Sequence, residues 1–581
     1  MCYYTINVYP NTEGLMGSII KKKIKGITYY YYTESKRIDG KPKLVNQKYL
    51  GTAEKLLSKA ILADTPLQER VLYSHNLEFG AVALLYDIAS RLGMVELIDG
   101  LVPKRNQGAS VGMYILTEVI NRAVAPTTTI KLEKWYAGTC LPSLTGIKPK
   151  AFTAQNFWNN TNITEQNIQE IEDAILKVIV SNYDIDTSHI IYDATNFFTY
   201  IDTMQDCESA KRAHSKEKRN DLRVVGLSLM VSPDFSVPLL HETYPGNRPD
   251  SKEFSIMMQS LKWRYEKITG KTTDVTVVFD RGNNSADNIE LLEGGRIPFH
   301  YVGGLKRNQA EKLFAIPKTE YSAMDSAKFP GHSSYRTKIQ AFGREVTAVI
   351  VYNTALEEGQ LQGIRINMAK TSKKLLELQQ KLLLRSKGEI TKGRKPTFES
   401  VTKAVSTILR TEYMNEIFSC EILENNGNIY LTYAESEDSF KRIQERELGK
   451  TALFTDRDDF TDEEIVNAYR SAWHVEGSFK QLKDTSHLTV RPFFHWTDVK
   501  IKVHIFTCVM AYRLCCLLRK ELADQGIELS INKMLGEVTA MRKITTFFGN
   551  LDKPEKVESF TIGSEWTQAI ESVYNLKEKY S

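Results

Sequence analysis

Between Thr461 and Lys483 the chain reads TDEEIVNAYRSAWHVEGSFKQLK, and two rows of residues share one helical rhythm. Ala468, Ala472, Val475, Phe479 and Leu482 recur at steps of four and three, which lines one face of a helix with apolar groups. Beside them Tyr469, Trp473, Glu476, Lys480 and Lys483 keep the same steps, so two aromatic rings, a carboxylate and two ammonium groups share a neighbouring face. Thr461 with Glu464 makes a capping box, and the whole stretch is expected to be one helix. A carboxylate beside cations and flat rings suits a phosphodiester held near a metal. It equally suits a solvated surface, and the metal reading demands further carboxylates at the ends of strands.

Two aspartates meet that demand. His189 to Tyr192 is an apolar run ending on Asp193, and DVTVVFD is a second ending on Asp280. The carboxyl edge of a sheet is where ligands and metals usually sit, although an aspartate after a strand also serves as a cap or turn residue. Val224 to Val231 and Val237 to Tyr244 read as strands joined at Ser232-Pro233-Asp234, a helix is expected from about Ser251 to Ile268, and another strand from Phe299. The order strand, strand, strand, helix, strand, helix, strand, with aspartates on the first and fourth strands, is the ribonuclease H-like arrangement. Asp193, Asp280 and Glu476 would then form an all-oxygen site for hard divalent ions, Mg²⁺ or Mn²⁺. Two such ions can activate the nucleophile and stabilise the leaving oxygen of a phosphodiester. Lys480 and Lys483 would lie along the phosphate path, and Tyr469 or Trp473 could stack on an unpaired base. Arg491 in HLTVRPFFHW is a further phosphate clamp, and Lys216 and Arg219 belong to a basic segment after the first aspartate. Phe493, Phe494 and Trp496 read as core packing.

These residues need a scaffold. Residues 1–60 are expected to be a β-rich hairpin region turning at Asp39-Gly40, with tyrosines Tyr29 to Tyr32 beside lysines. Residues 65–180 follow helical spacing and form a candidate DNA-binding region. Residues 181–305 would be the first part of the catalytic core, 306–455 an insertion domain with a charged helix from about Thr371 to Leu384, and 456–581 the second part with C-terminal helices. The expected fold class is thus α/β, a ribonuclease H-like core split by an insertion and preceded by a hairpin and a helical region.

At 581 residues the chain can hold several cores, and a net charge of +5 leaves polyanion affinity to local clusters. Seven scattered cysteines without a CxxC pair argue against a zinc ribbon or a disulfide framework and fit a reducing cytoplasm. The most apolar run, Val503 to Leu518, carries His504 and Arg513 and is expected to be a buried helix, with no membrane as partner. Gly449-Lys450-Thr451 lacks the earlier glycine of a phosphate loop, so no nucleotide site is expected there.

The helix resembles the signature of bacterial insertion-sequence DDE transposases of the cut-and-paste group: Tyr, two residues, Arg, three residues, Glu, six residues, Lys. Tyr469, Glu476 and Lys483 fall on three of the four positions, and Ala472 stands at the arginine. Arg470 is expected to point elsewhere on the helix. HSKEKRNDL, YPGNRPD, VRPFFHW, NRAVAP and KWYAGT also resemble family segments. The resemblance implies that Asp193, Asp280 and Glu476 are the catalytic triad and metal ligands, that transposon ends are nicked and their 3′-OH groups joined to target DNA, and that a homodimer acts on the DNA. Two alternatives stay open: a ribonuclease H-like nuclease without strand transfer, and a DNA-binding relic that does not cut.

Overall fold

A computed structural model describes residues 6–8, 16–38, 41–64, 71–103, 108–202, 204–269, 274–294, 298–484, 486–491, 493–550 and 553–580. The chain forms two compact units, one of Met1–Ala83, Ala137–Leu144 and Gly536–Ser581, the other of Leu84–Tyr136 and Thr145–Leu535.

In the first unit, Ile6–Val8, Met16–Ile24, Ile27–Ile38 and Lys41–Gly51 pair antiparallel in chain order. The expected turn at Asp39-Gly40 lies outside the described residues, but its flanks pair at Ile38 and Lys41. Tyr49 packs against Tyr29 and Tyr31 at ring separations of 5.9 and 5.3 Å. A second sheet of three strands orders Lys553–Phe560, Arg542–Asn550 and Val71–Glu78. This corrects two expectations: the helical region contains a strand at its start, and the C-terminal segment holds a hairpin as well as helices. The partners come from opposite ends of the chain, so no local window links them.

The second unit is mixed α/β. At its centre, strand His189–Thr199 pairs antiparallel with Arg223–Val231, which pairs antiparallel with Pro238–Pro245. On its other edge it runs parallel to Thr276–Phe279, which runs parallel to His300–Gly304. All four residues of Thr276–Phe279 are buried, as expected of a parallel strand covered on both faces. Beyond His300–Gly304 the sheet continues through Lys450–Thr455, Arg344–Asn353, His332–Ala341 and Ser322–Ala323, all antiparallel. Part of the expected insertion therefore extends the sheet itself. The chain leaves after Asn353 into a helix of 33 residues, Thr354–Ser386, then forms Phe398–Ile408 and the hairpin Phe418–Asn425 with Asn428–Glu435. This excursion has its own apolar core, including Leu375, Leu382, Val401, Ile417 and Leu431.

The helix Asp498–Asp524 is long and apolar enough to cross a membrane by length and composition, yet it is buried inside the second unit. Its Arg513 is fully buried and donates to Glu172 at 2.8 Å and to the carbonyl of Pro238 at 2.8 Å. Arg264 and His241 also reach Glu172, at 2.9 and 2.7 Å. One carboxylate thus ties three helices and a strand together. The opposing cations hold Glu172 ionised despite a burial that favours its neutral form.

Candidate active site

The register of the sheet brings the first two carboxylates side by side. Tyr192 is opposite Phe279, so Asp193, one residue on, falls beside Asp280, the first residue past the end of the neighbouring strand. Asp193 was expected where its strand ends; it lies in mid-strand instead. The antiparallel partner Arg223–Val231 continues the ladder to Thr199, whereas the parallel partner stops at Phe279. The ending that matters belongs to the neighbour.

The third carboxylate arrives on a broken helix. Thr461 to Lys483 forms two helices, Asp462–Arg470 and Trp473–Lys483, rather than the single one expected. Ser471 and Ala472 keep helical dihedrals, but the amides of Ala472 and His474 bond three residues back, to Tyr469 and Ser471, tightening the turn. The predicted capping box of Thr461 and Glu464 is present. Val475, Phe479 and Leu482 are buried, and the second helix packs on the Asp193 strand. Its first turn, Trp473 to Glu476, borders a cavity of about 380 Å³ lined by Asp193, Asp280 and Glu476 together with Tyr469, Trp473, Arg470 and His332.

Electrostatics mark Asp193 as the strained member. Burial, helped by the carboxylates of Asp280 and Asp250, pushes its pKa up to about 6 against the pull of Lys216 and the Ala194 amide. Lys483 donates to the Thr195 hydroxyl at 2.8 Å, and burial with nearby Lys216 pushes its pKa down to about 8. Lys216 donates to the Ala194 carbonyl and pairs with Asp250 at 3.3 Å. Burial, helped by the Asp280 carboxylate, raises the pKa of the Tyr469 hydroxyl against the pull of Arg281. Trp473 is 61 % exposed and stacks on His474 with centroids 3.8 Å apart, and Lys480 is exposed.

Five expected residues, Lys216, Arg219, Lys480, Lys483 and Arg491, do not line this cavity, and two of them are engaged elsewhere. Arg491 pairs with Glu217 and sits 4.3 Å from the Phe198 ring centre, and Arg219 pairs with Asp221 at 2.8 Å and approaches the same ring at 5.4 Å. Neither lines the cavity of the carboxylates. Arg470, expected to point away, does line it. Its guanidinium donates to His332 Nε2 and lies 5.3 Å from the Phe329 ring centre. Only burial moves its pKa, downwards, and among the described residues it makes no ion pair. Arg470 and His332 were missed as site residues because they meet only once distant strands join the sheet, and Asp250 because only the fold brings its helix to Lys216.

Among the described residues no three Asp, Glu, His or Cys side chains are gathered closely enough to hold a metal ion. The donor set is nonetheless all oxygen, and Asp193 beside Asp280 is a concentration of negative charge that a cation would relieve.

The family model for the transposase DDE domain matches residues 184–514, which contain all three carboxylates and Lys483. This chain belongs to the DDE transposase family. No curated protein matches the sequence of this transposase significantly. Among solved structures it is similar to the piggyBac transposase in its synaptic complex with hairpin DNA, at 8 % identity and a TM-score of 0.37 over 79 % of this chain and 78 % of that one.

Proposed function

We propose that the protein is the transposase of a bacterial insertion sequence. It binds the ends of the element, nicks them by metal-dependent phosphodiester hydrolysis and joins the 3′-OH ends to target DNA, acting as a homodimer. The observation that carries this reading is the convergence of Asp193, Asp280 and Glu476, from two strands and a helix, on one cavity inside the transposase domain. We read the strand order as ribonuclease H-like, with residues 181–305 and 456–581 as its two parts and the excursion between them as an insertion.

Asp193, Asp280 and Glu476, which share one cavity, would hold Mg²⁺ or Mn²⁺. When bound, two such ions supply Lewis acidity at the attacking and leaving oxygens. The chain's own groups do the rest. Tyr469 stands beside Asp280 in the cavity wall. Lys483 and Lys216 hold positive charge beside Asp193, where a DNA phosphate must approach. Arg470, lacking a carboxylate, presents an N–H fork to that phosphate and takes the part that Ala472 cannot. Trp473 offers an open ring at the rim for a base.

The test is cleavage of a supercoiled plasmid carrying the element ends, with Mg²⁺, Mn²⁺ or EDTA, by the native protein and by Glu476→Gln. Metal-dependent nicking that the substitution abolishes, followed by joined products, is expected. Nicking without joining would make the protein a nuclease. End binding without cleavage would make it a relic.

A further inference from the structure

A second cavity, of about 680 Å³, opens in the same unit between helices Val111–Val124 and Ala154–Asn160 and the start of Asp498–Asp524. It is built from flat rings and buried cations. Trp158 and Trp496 stack with centroids 4.9 Å apart and planes 25° from parallel, yet remain 37 % and 48 % exposed. Lys500, 4 % exposed, donates to the Trp158 carbonyl at 2.6 Å and to Thr161 at 3.2 Å. Arg122, also 4 % exposed, gives one nitrogen to the Thr127 carbonyl, while its Nη1 has no acceptor. An unsatisfied buried guanidinium nitrogen is costly and normally means an acceptor is missing. The carboxyl in the cavity, Glu118, is pushed up to about 7 by burial, so two cations face at most one anion.

One wall of the cavity, Phe494, touches the residue that follows the active-site strand. Tyr200, one residue past the Asp193 strand, donates its amide to the Phe493 carbonyl, and its ring stacks on Phe494 at 5.4 Å. Both rings are about half exposed. Arg491 and Arg219 lie just behind, against Phe198. Six steps of strand lead from Asp193 to Thr199, about 20 Å at roughly 3.3 Å per residue. A shelf of open rings therefore runs from Tyr200 and Phe494 to Trp496 and Trp158, backed by cations and led into by the Asp193 strand.

We propose that this shelf and cavity form a second DNA site, which takes unpaired bases of the strand leaving the catalytic cavity. A base stacks on the open indole face of Trp496, and a base carbonyl accepts from Arg122. The inference rests on the transposase reading only in naming DNA as the ligand. Stacking tolerates sequence, whereas a paired duplex cannot offer its base faces, so the site distinguishes single strands from duplexes.

The experiment titrates the full-length protein with a labelled short oligothymidylate and with a fully paired duplex of equal length. Trp496→Ala should weaken oligothymidylate binding roughly tenfold to a hundredfold, the loss of one stacking ring, while duplex affinity stays within about twofold. Trp496→Phe, which keeps a flat ring, should recover most of the loss. Equal effects on both DNAs, or no effect, would overturn the proposal. So would a shift in oligomeric state without a change in oligothymidylate affinity, since the shelf would then be covered by a second copy. Metal-dependent plasmid cleavage by the same preparations reads the transposase proposal separately.

Discussion

Arg470→Ala should slow DNA cleavage about tenfold to a hundredfold without unfolding the protein. The guanidinium lines the cavity of the three carboxylates and has no carboxylate partner of its own, so what it gives up is its contact to the substrate. A hydrogen bond to a charged group is worth about 1.5–3 kcal/mol, and each ~1.4 kcal/mol is a factor of ten in rate. The structural cost is smaller: Arg470 is exposed, and its stacking on Phe329 is worth about 0.5–1 kcal/mol. Ala472 lines the same cavity two residues further on, so Arg470→Ala combined with Ala472→Arg returns a guanidinium from the position the family signature uses. The double variant should regain most of the lost rate. Single-turnover nicking of the end-bearing plasmid gives the rates, and a thermal melt confirms the fold. If Arg470→Ala nicks at the native rate while Glu476→Gln is inactive, Arg470 does not touch the phosphate. If the arginine at 472 restores nothing, the two positions are not interchangeable.

Other expectations concern pH, packing and the cavity wall. Asp193 binds its proton more tightly when folded, with a pKa of about 6 against an ordinary 3.8, so the stability this contributes is full below pH ~4 and lost as the pH rises through 6. Metal-free thermal melts of the native protein should therefore fall relative to those of Asp193→Asn across that window, and parallel curves would contradict the burial. Glu172→Leu strands Arg264 and Arg513 and should cost about 3–5 kcal/mol in urea unfolding, whereas a loss under ~1 kcal/mol would mean the arginines find other acceptors. A Cβ on Gly304 would strike the Tyr469 hydroxyl, so Gly304→Ala should displace Tyr469 from the cavity wall and reduce nicking in the single-turnover assay. Trp473→Ala removes an exposed ring and should weaken end binding about tenfold in a gel-shift titration, with the melting temperature unmoved.

Much of the site could be read from the sequence because its carboxylates follow signals that local physics makes strong. HIIY and VTVVF are apolar since both faces of the sheet are covered there, and Glu476 stands out from a periodic apolar stripe. The helix break at Ser471 and Ala472 left no mark: neither is glycine or proline, and both keep helical dihedrals. The length of the Asp193 strand was hidden because its antiparallel neighbour, not its own sequence, carries it to Thr199. Arg470 was misjudged for a related reason. Its surroundings come from the strand beginning at His332, which reaches the cavity only through pairings across Arg344–Asn353 and Lys450–Thr455.

The excursion after Asn353 departs from and rejoins the sheet at one point, for the amide of Asn353 bonds the carbonyl of Gly449 at 2.8 Å and Tyr352 pairs with Lys450. A segment hung on so narrow a stem is invisible to the ladder that aligns the carboxylates. Doubling its length would cost the chain only about 0.6 kcal/mol of closure entropy. The outer part of the appendage can therefore lengthen at little cost, whereas its first turn, whose Leu356 lines the cavity of the carboxylates, is bound to the site.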